Sequence, residues 1–453
     1  MTSERRKPKV QIFTQGCSAN VADSEAIAGL LFEGGFEICQ SEPDVVVLNT
    51  CTVKGPTETA FIRQLRTLED SGTPVVIAGC LPQAEPRHSL LAKHSVVGPF
   101  EIAQIANVTG RTLRGEVVHL LSRKKARNLS LPVLPADPTV AIIPIAQGCL
   151  SSCTFCKTKQ ARGILRSVPR GEIMRAVRDR VAHGAREVWL TSQDNSAYGF
   201  DLSSNLAELL SDLVELDGDF RIRVGMANPD HFRSFWDDFC RVIGHEKIFR
   251  FVHIPVQSGS NAVLEQMKRE YRVEEFEDQI VQLRERYPEM TFATDMICGF
   301  PTESVSDFEQ TLSLVSRLQL DVVNISRFWP RPGTPAAKLK PISGGEVKRR
   351  SRVLTEVFRG VAAANNRRWH GWSGQVFFRE RGKQGEFIGR NFAYKQVVLS
   401  SSESIEYPGS SPVQIVSSGT FSLRAEKLNP KKSSRSGCYP SSTSDNPVQS
   451  QQF

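Results

Sequence analysis

The chain has 453 residues, 40% of them hydrophobic, enough for two or three domains with substantial cores. Its net charge of +8 permits a polyanionic partner but suits an ordinary basic enzyme equally well. No apolar run reaches the length of a membrane span and the start, MTSERRKPKV, lacks a signal-peptide stretch, so secreted and membrane classes are set aside and a cytoplasmic protein without membrane contact is expected.

In chain order, KVQIFTQGC (9–17), DVVVLNTC (44–51) and PVVIAGC (74–80) each read as a short buried strand that stops just before a cysteine. Helical patterns follow at 24–36 and 58–70, and strand–helix alternation predicts a parallel sheet. In such sheets ligands collect beyond the carboxyl ends of the strands, where Cys17, Cys51 and Cys80 all fall. Residues 101–138 read as a variable connection. A second unit then carries strands at 141–147, 187–192, 221–226, 249–256, 291–297 and 322–328, with helices between them and a bridging helix at 344–368. These repeats predict a partial (β/α)6 barrel with its chemistry at the strand carboxyl ends. The runs GQVFFRE, GEFIGRN, YKQVVLS and PVQIVSSG predict a small carboxyl-terminal β-barrel. The expected fold class is therefore α/β throughout, with an amino-terminal domain over 8–118, a barrel core over 136–366, a β-barrel over 367–426 and a disordered tail over 427–453.

Ten cysteines in a reducing compartment point to metal or redox chemistry rather than disulfides. Cys149, Cys153 and Cys156 fall within QGCLSSCTFCKTKQARG (147–163), on the loop after the first barrel strand. A structural zinc site closes with four ligands, whereas three thiolates on a cubic iron–sulfur cluster leave one iron open to a substrate or cofactor. A zinc knuckle that borrows a distant fourth ligand is the alternative at this point.

GCLSSCTFCKTKQARG resembles the signature loop of radical S-adenosylmethionine (SAM) enzymes, most closely that of the methylthiotransferases. TQGCSANVADSE, NTCTVKGPTE and AGCLPQ resemble the amino-terminal domain of that family, and the terminal barrel resembles its RNA-binding TRAM domain. CKTKQARG (156–163) and SRFWPRPGTPAAKLK (326–340) resemble the archaeal and eukaryotic branch, which methylthiolates N6-threonylcarbamoyladenosine beside the anticodon of tRNA. The resemblance implies two [4Fe–4S] clusters, one on Cys149, Cys153 and Cys156 that binds SAM, the other on Cys17, Cys51 and Cys80 that holds the sulfur to be donated. It also implies a tRNA partner, a flavodoxin- or reductase-type electron donor and a monomeric enzyme. The rivals are methylthiolation of isopentenyladenosine and a non-catalytic, zinc-containing RNA-binding protein.

Breaking the carbon–hydrogen bond at adenine C2 needs a radical, which a cofactor must supply. Candidate SAM contacts lie at strand ends: Gln193 and Asp194 for the ammonium, and Gln257 and Ser258 for the ribose or carboxylate. Arg162 and Arg166, with Lys157 and Lys159, are candidates for the SAM carboxylate or tRNA phosphates. In the terminal barrel, Arg379, Arg381, Lys383, Arg390 and Lys395 interleave with Phe377, Phe378, Phe387 and Tyr394, as an RNA surface would.

Overall fold

The structure is a computed structural model, and it describes residues 6–52, 55–122 and 129–428. Its first unit is a six-stranded sheet in the order Glu37–Ile38, Lys9–Thr14, Val45–Thr50, Val75–Gly79, Ser95–Val97, His119–Leu120, parallel throughout. The central strands are almost wholly apolar because both faces are covered. Val45 and Val47 pack with Ile27 and Leu31 on one side, and Val46 and Leu48 with Phe61 and Leu65 on the other. Residues 101–122, expected to be a plain connection, instead complete this unit with the helix Ile105–Leu113 and the edge strand His119–Leu120. A strand of two residues is too short to leave a periodic trace.

The core unit holds six parallel strands: Val140–Pro144, Glu187–Thr191, Arg221–Val224, Phe251–His253, Thr291–Cys298 and Val322–Arg327. They form two three-stranded sheets joined by the parallel bridge of Ile222 to Ile248, so the strands follow one another around a partial barrel in sequence order. The helix Gly344–Arg367 covers the last of them. The Ser343 hydroxyl caps its first turn by accepting the Glu346 N–H at 3.3 Å, and Leu354 and Phe358 enter the core.

The third unit is a closed barrel of Ser373–Arg381, Phe387–Arg390, Gln396–Leu399, Leu423–Lys427 and Gly409–Ser418. Leu423–Lys427, LRAEK, was not among the expected strands; its Ala, Glu and Lys are poor strand formers, and pairing on both sides holds it. The tail expected to be disordered lies, from residue 429, outside the described residues.

This small barrel docks against the amino ends of the core strands. Arg379 pairs with Asp137 at 3.1 Å and Glu187 at 3.2 Å, and Lys395 pairs with Asp321 at 2.8 Å. The Arg250 N–H donates to the Phe392 carbonyl at 2.9 Å, and the Tyr394 ring packs among Trp189, Phe249 and Phe251. Several residues expected to face RNA are therefore corrected. Arg379, Lys395 and Tyr394 are buried or nearly so in the joint between units, and Phe378 and Phe387 fill the small barrel's core. Arg381 stacks on Phe387 and Tyr407, on the exposed side of that barrel.

Candidate active site

At the carboxyl ends of three adjacent strands of the first sheet stand Cys17, Cys51 and Cys80. Cys17 precedes the helix Ser18–Glu33, Cys51 follows Thr50, and Cys80 opens the short helix Cys80–Ala84. The loops touch: a Cβ added at Gly16 would lie 2.6 Å from Cys51 Cβ and 3.0 Å from its Sγ. Buried amides lock the strand ends together. Asn20 donates to the Thr50 carbonyl at 2.9 Å, and Asn49 donates to the Asn20 carbonyl and the Ser24 hydroxyl, each at 2.8 Å. Gly79 takes φ 92 and ψ −145, a conformation open essentially to glycine alone, and a Cβ there would meet Asn49 Oδ1 at 2.3 Å.

The second trio occupies one loop. Gly148, at φ +86, passes so close to the returning chain that a Cβ would lie 1.9 Å from the Ile164 carbonyl oxygen. The Gly148 N–H donates to Gln193 Oε1 at 2.7 Å, and Cys149 N–H to the Gly163 carbonyl at 3.3 Å. Thr154 fastens the middle of the loop, its N–H donating to the Met267 carbonyl at 3.0 Å and its hydroxyl to the Gln266 carbonyl at 2.9 Å. Arg269 donates to Cys153 Sγ at 3.0 Å. Burial, helped by the Asp194 and Cys156 charges, pushes the Cys149 thiol up to about 12; coordination to a metal would remove that proton.

One short segment joins the trios. Directly after Cys156, Lys157 pairs with Glu85 at 2.5 Å. At the end of the helix Thr158–Arg162, Arg162 donates to Asp23 Oδ2 at 2.7 Å and to Cys80 Sγ at 3.1 Å. Ser18 and Thr191 add a hydroxyl contact at 2.6 Å between the same two units. Between them opens a cavity of about 820 Å³. Thr52, beside Cys51, lines it from one unit, and Cys156, Phe155, Gln257 and Asp295 from the other. Among the described residues, Arg63, Lys157, Arg327 and Arg331 also line it, four cations against the carboxylate of Asp295.

The expected SAM contacts fall in different places. Gln257 faces the cavity with the strained φ of 70, its N–H donating to the Asp295 carbonyl at 2.8 Å. Ser258 is fully buried and accepts from the Ser260 N–H at 3.2 Å. Gln193 braces the cysteine loop through Gly148. Asp194 does not face a cofactor: it is fully enclosed, and its carboxylate is engaged by Ser196, Asn228 and His231. Burial raises its affinity for a proton, but the His231 ring and those donors hold its pKa below the ordinary range. Arg162 turns to Asp23 and Cys80 rather than to a SAM carboxylate, and Arg166 lines a separate cavity of about 320 Å³ with Lys159 and Ile164. Sequence reasoning missed Arg63, Arg269, Asp295, Arg327 and Arg331. Only Arg327 and Arg331 had a signal, as the cations of SRFWPRP at and just beyond the end of the last core strand.

Among the described residues no three His, Cys, Asp or Glu side chains are grouped to hold one metal ion. A cube of four irons asks something else, since each thiolate takes its own iron and the sulfurs stand apart. Cys80 stands near enough to Cys17, and Cys149 to Cys153 and Cys156, for their charges to act on one another, and three free thiols on each side suit such a cube.

Residues 143–315 match the radical SAM superfamily, and residues 9–98 match the uncharacterized protein family UPF0004. A partial parallel barrel with a three-cysteine loop at its mouth defines the class, a radical SAM protein. The TsrM radical SAM methyltransferase of Kitasatospora setae shares the fold, with a TM-score of 0.52 at 15% identity over 73% of this chain and 75% of its own. The sequence narrows the class. A probable threonylcarbamoyladenosine tRNA methylthiotransferase of Pyrococcus horikoshii is 40% identical over 396 residues, 86% of this chain and 93% of its own. The threonylcarbamoyladenosine tRNA methylthiotransferases of Drosophila melanogaster (40% identity, 94% of this chain and 78% of theirs) and Homo sapiens (38%, 86% and 69%) are similar along most of their length. This chain belongs to the threonylcarbamoyladenosine tRNA methylthiotransferase family. No helix among the described residues is long and apolar enough to cross a membrane.

Proposed function

We propose that this chain methylthiolates C2 of N6-threonylcarbamoyladenosine beside the anticodon of tRNA, using SAM and two [4Fe–4S] clusters. The observation that carries the reading is the cavity between the trios, with Cys156 on one wall and Thr52, the neighbour of Cys51, on the other. In this reading Cys149, Cys153 and Cys156 hold the cluster that takes SAM, and Cys17, Cys51 and Cys80 hold the cluster that carries the donated sulfur. When bound, these groups supply the radical that breaks the C2–hydrogen bond and the sulfur that replaces the hydrogen. The protein's own part is to fix both clusters against one base and keep water out. Gln257 is the expected SAM contact best placed for that role, at a strained position four residues beyond the strand Phe251–His253 and facing the cavity.

The charge of the cavity favours the threonylcarbamoyl substrate over isopentenyladenosine. A threonyl group ends in a carboxylate, which needs cations when it leaves water. Arg63 and Arg327 on the cavity wall offer them, whereas an isopentenyl group would ask for an apolar wall. Lys157 is already balanced by Glu85. The enzyme acts as a single chain and takes its electrons from a flavodoxin- or reductase-type donor.

The test is expression in cells that make threonylcarbamoyladenosine but lack its methylthio form, followed by mass analysis of tRNA nucleosides. The methylthio derivative is expected with the wild-type chain and absent with Cys156→Ala. Its absence in both, or a methylthio group on isopentenyladenosine instead, would overturn the assignment.

A further inference from the structure

Arg162 is 2% exposed, yet it carries a full charge. Burial alone would lower the pKa of its guanidinium, but the Asp23 carboxylate, itself fully buried, holds it well above the ordinary value. A buried ion pair rarely adds stability over apolar side chains of the same volume, so its presence asks for another reason. The geometry gives one. Nε donates to Cys80 Sγ at 3.1 Å and one terminal nitrogen to Asp23 at 2.7 Å, while the other, Nη1, has no partner among the described residues. A neutral thiol is a weak acceptor, and a donor aimed at it gains full strength only when the sulfur is a metal-bound thiolate. The other trio repeats the arrangement: Arg269, half-buried and also bonded to Asn228, donates to Cys153 Sγ at 3.0 Å.

We propose that Arg162 is a positioning residue for the amino-terminal cluster, donating to the sulfur of Cys80 and so setting that cluster's reduction potential from the loop that carries the other cluster. This rests on the two-cluster reading above. Hydrogen bonds to the sulfurs of a cluster stabilise its reduced, more negative state, so their loss lowers the potential. Because Arg162 lies six residues beyond Cys156, the same side chain fixes how the cysteine loop meets the first sheet.

The test uses the full chain with Cys149, Cys153 and Cys156 changed to Ala, reconstituted without oxygen so that only the amino-terminal cluster, about four irons, remains. Arg162→Gln is compared with Arg162→Lys and with Arg162→Gln combined with Asp23→Asn, which leaves no unpaired buried carboxylate. The midpoint potential and the electron paramagnetic resonance spectrum of the reduced cluster are read. The potential is expected to shift downward in Arg162→Gln and in the double variant, and less in Arg162→Lys. In a chain with Cys17, Cys51 and Cys80 changed to Ala, Arg162→Gln is expected to leave the remaining cluster's potential in place. An unchanged potential and spectrum in the double variant, or equal shifts in both backgrounds, would overturn the proposal. Failure of the first background to hold iron with Arg162 intact would overturn the two-cluster reading together with it.

Discussion

The two cysteine trios are gathered by opposite routes. Cys17, Cys51 and Cys80 are 34 and 29 residues apart in sequence and are gathered by the register of three neighbouring strands. Cys149, Cys153 and Cys156 lie in one loop, which is shaped by contacts from Gly163, Met267 and Gln193. The difference shows where rigidity comes from. The first site inherits it from a sheet covered on both faces, and the second borrows it from neighbours that hold a loop in place. Damage to the first should therefore spread through a domain, and damage to the second should stay local.

The largest effect expected is total. Changing either trio to Ala should abolish methylthiolation and lower the iron content of the reconstituted protein from about eight to about four. Iron analysis beside nucleoside mass analysis checks this, and a chain that keeps its full iron after losing one trio would break the comparison. Next come the two glycines. Gly79→Ala forces a side chain into a glycine-only conformation at the end of an inner strand of the first sheet and should cost about 3 kcal/mol or more, visible as a lower melting temperature. Gly148→Ala meets the Ile164 backbone, but on a loop; it should cut iron by about half while moving the melting temperature much less. Equal losses of stability from the two would dissolve the distinction between sheet-built and loop-built sites.

The smallest effect concerns Glu25, two turns beyond Cys17 on the helix behind the first trio. Burial pushes its carboxyl up to about 7, and Arg180, 4.0 Å away, only partly offsets this. The folded state thus binds the proton more tightly than the unfolded chain. The contribution of this group to stability is full below a pH of about 4.5 and is lost as pH rises to about 7. Glu25→Gln should stabilise the protein at pH 8 by on the order of 1–2 kcal/mol and lose that advantage below pH of about 4.5. Denaturant melts at the two pH values measure it.

How much was legible in the sequence follows the same divide. The loop trio announces itself because its spacing is local. The sheet trio was legible only through topology, since three strands that each stop before a cysteine in a parallel sheet must bring those cysteines to one edge. The arginine contacts to the cysteine sulfurs were not legible. Nothing in MKREY shows that Arg269 reaches Cys153, and nothing in KQARG shows that Arg162 reaches across to Cys80, because both contacts join positions 116 and 82 residues apart. Asp194 read as a ligand because loop carboxylates at strand ends often are, but the three-dimensional fold surrounds it with its own donors. Arg379 and Lys395 read as an RNA surface because basic and aromatic residues alternate there, although the same alternation also serves a joint between domains.

The docking of the small barrel has a consequence for what this protein can accept. It sits at the foot of the core strands, and the cavity opens toward their heads; from Thr291 to the lining residue Asp295 is about 13 Å at 3.3 Å per residue, and the strand runs on to Cys298. A free nucleoside meets only one end of such a molecule, whereas a folded stem and its loop can touch both. Reach, ahead of base identity, then becomes the first filter that a nucleic acid must pass.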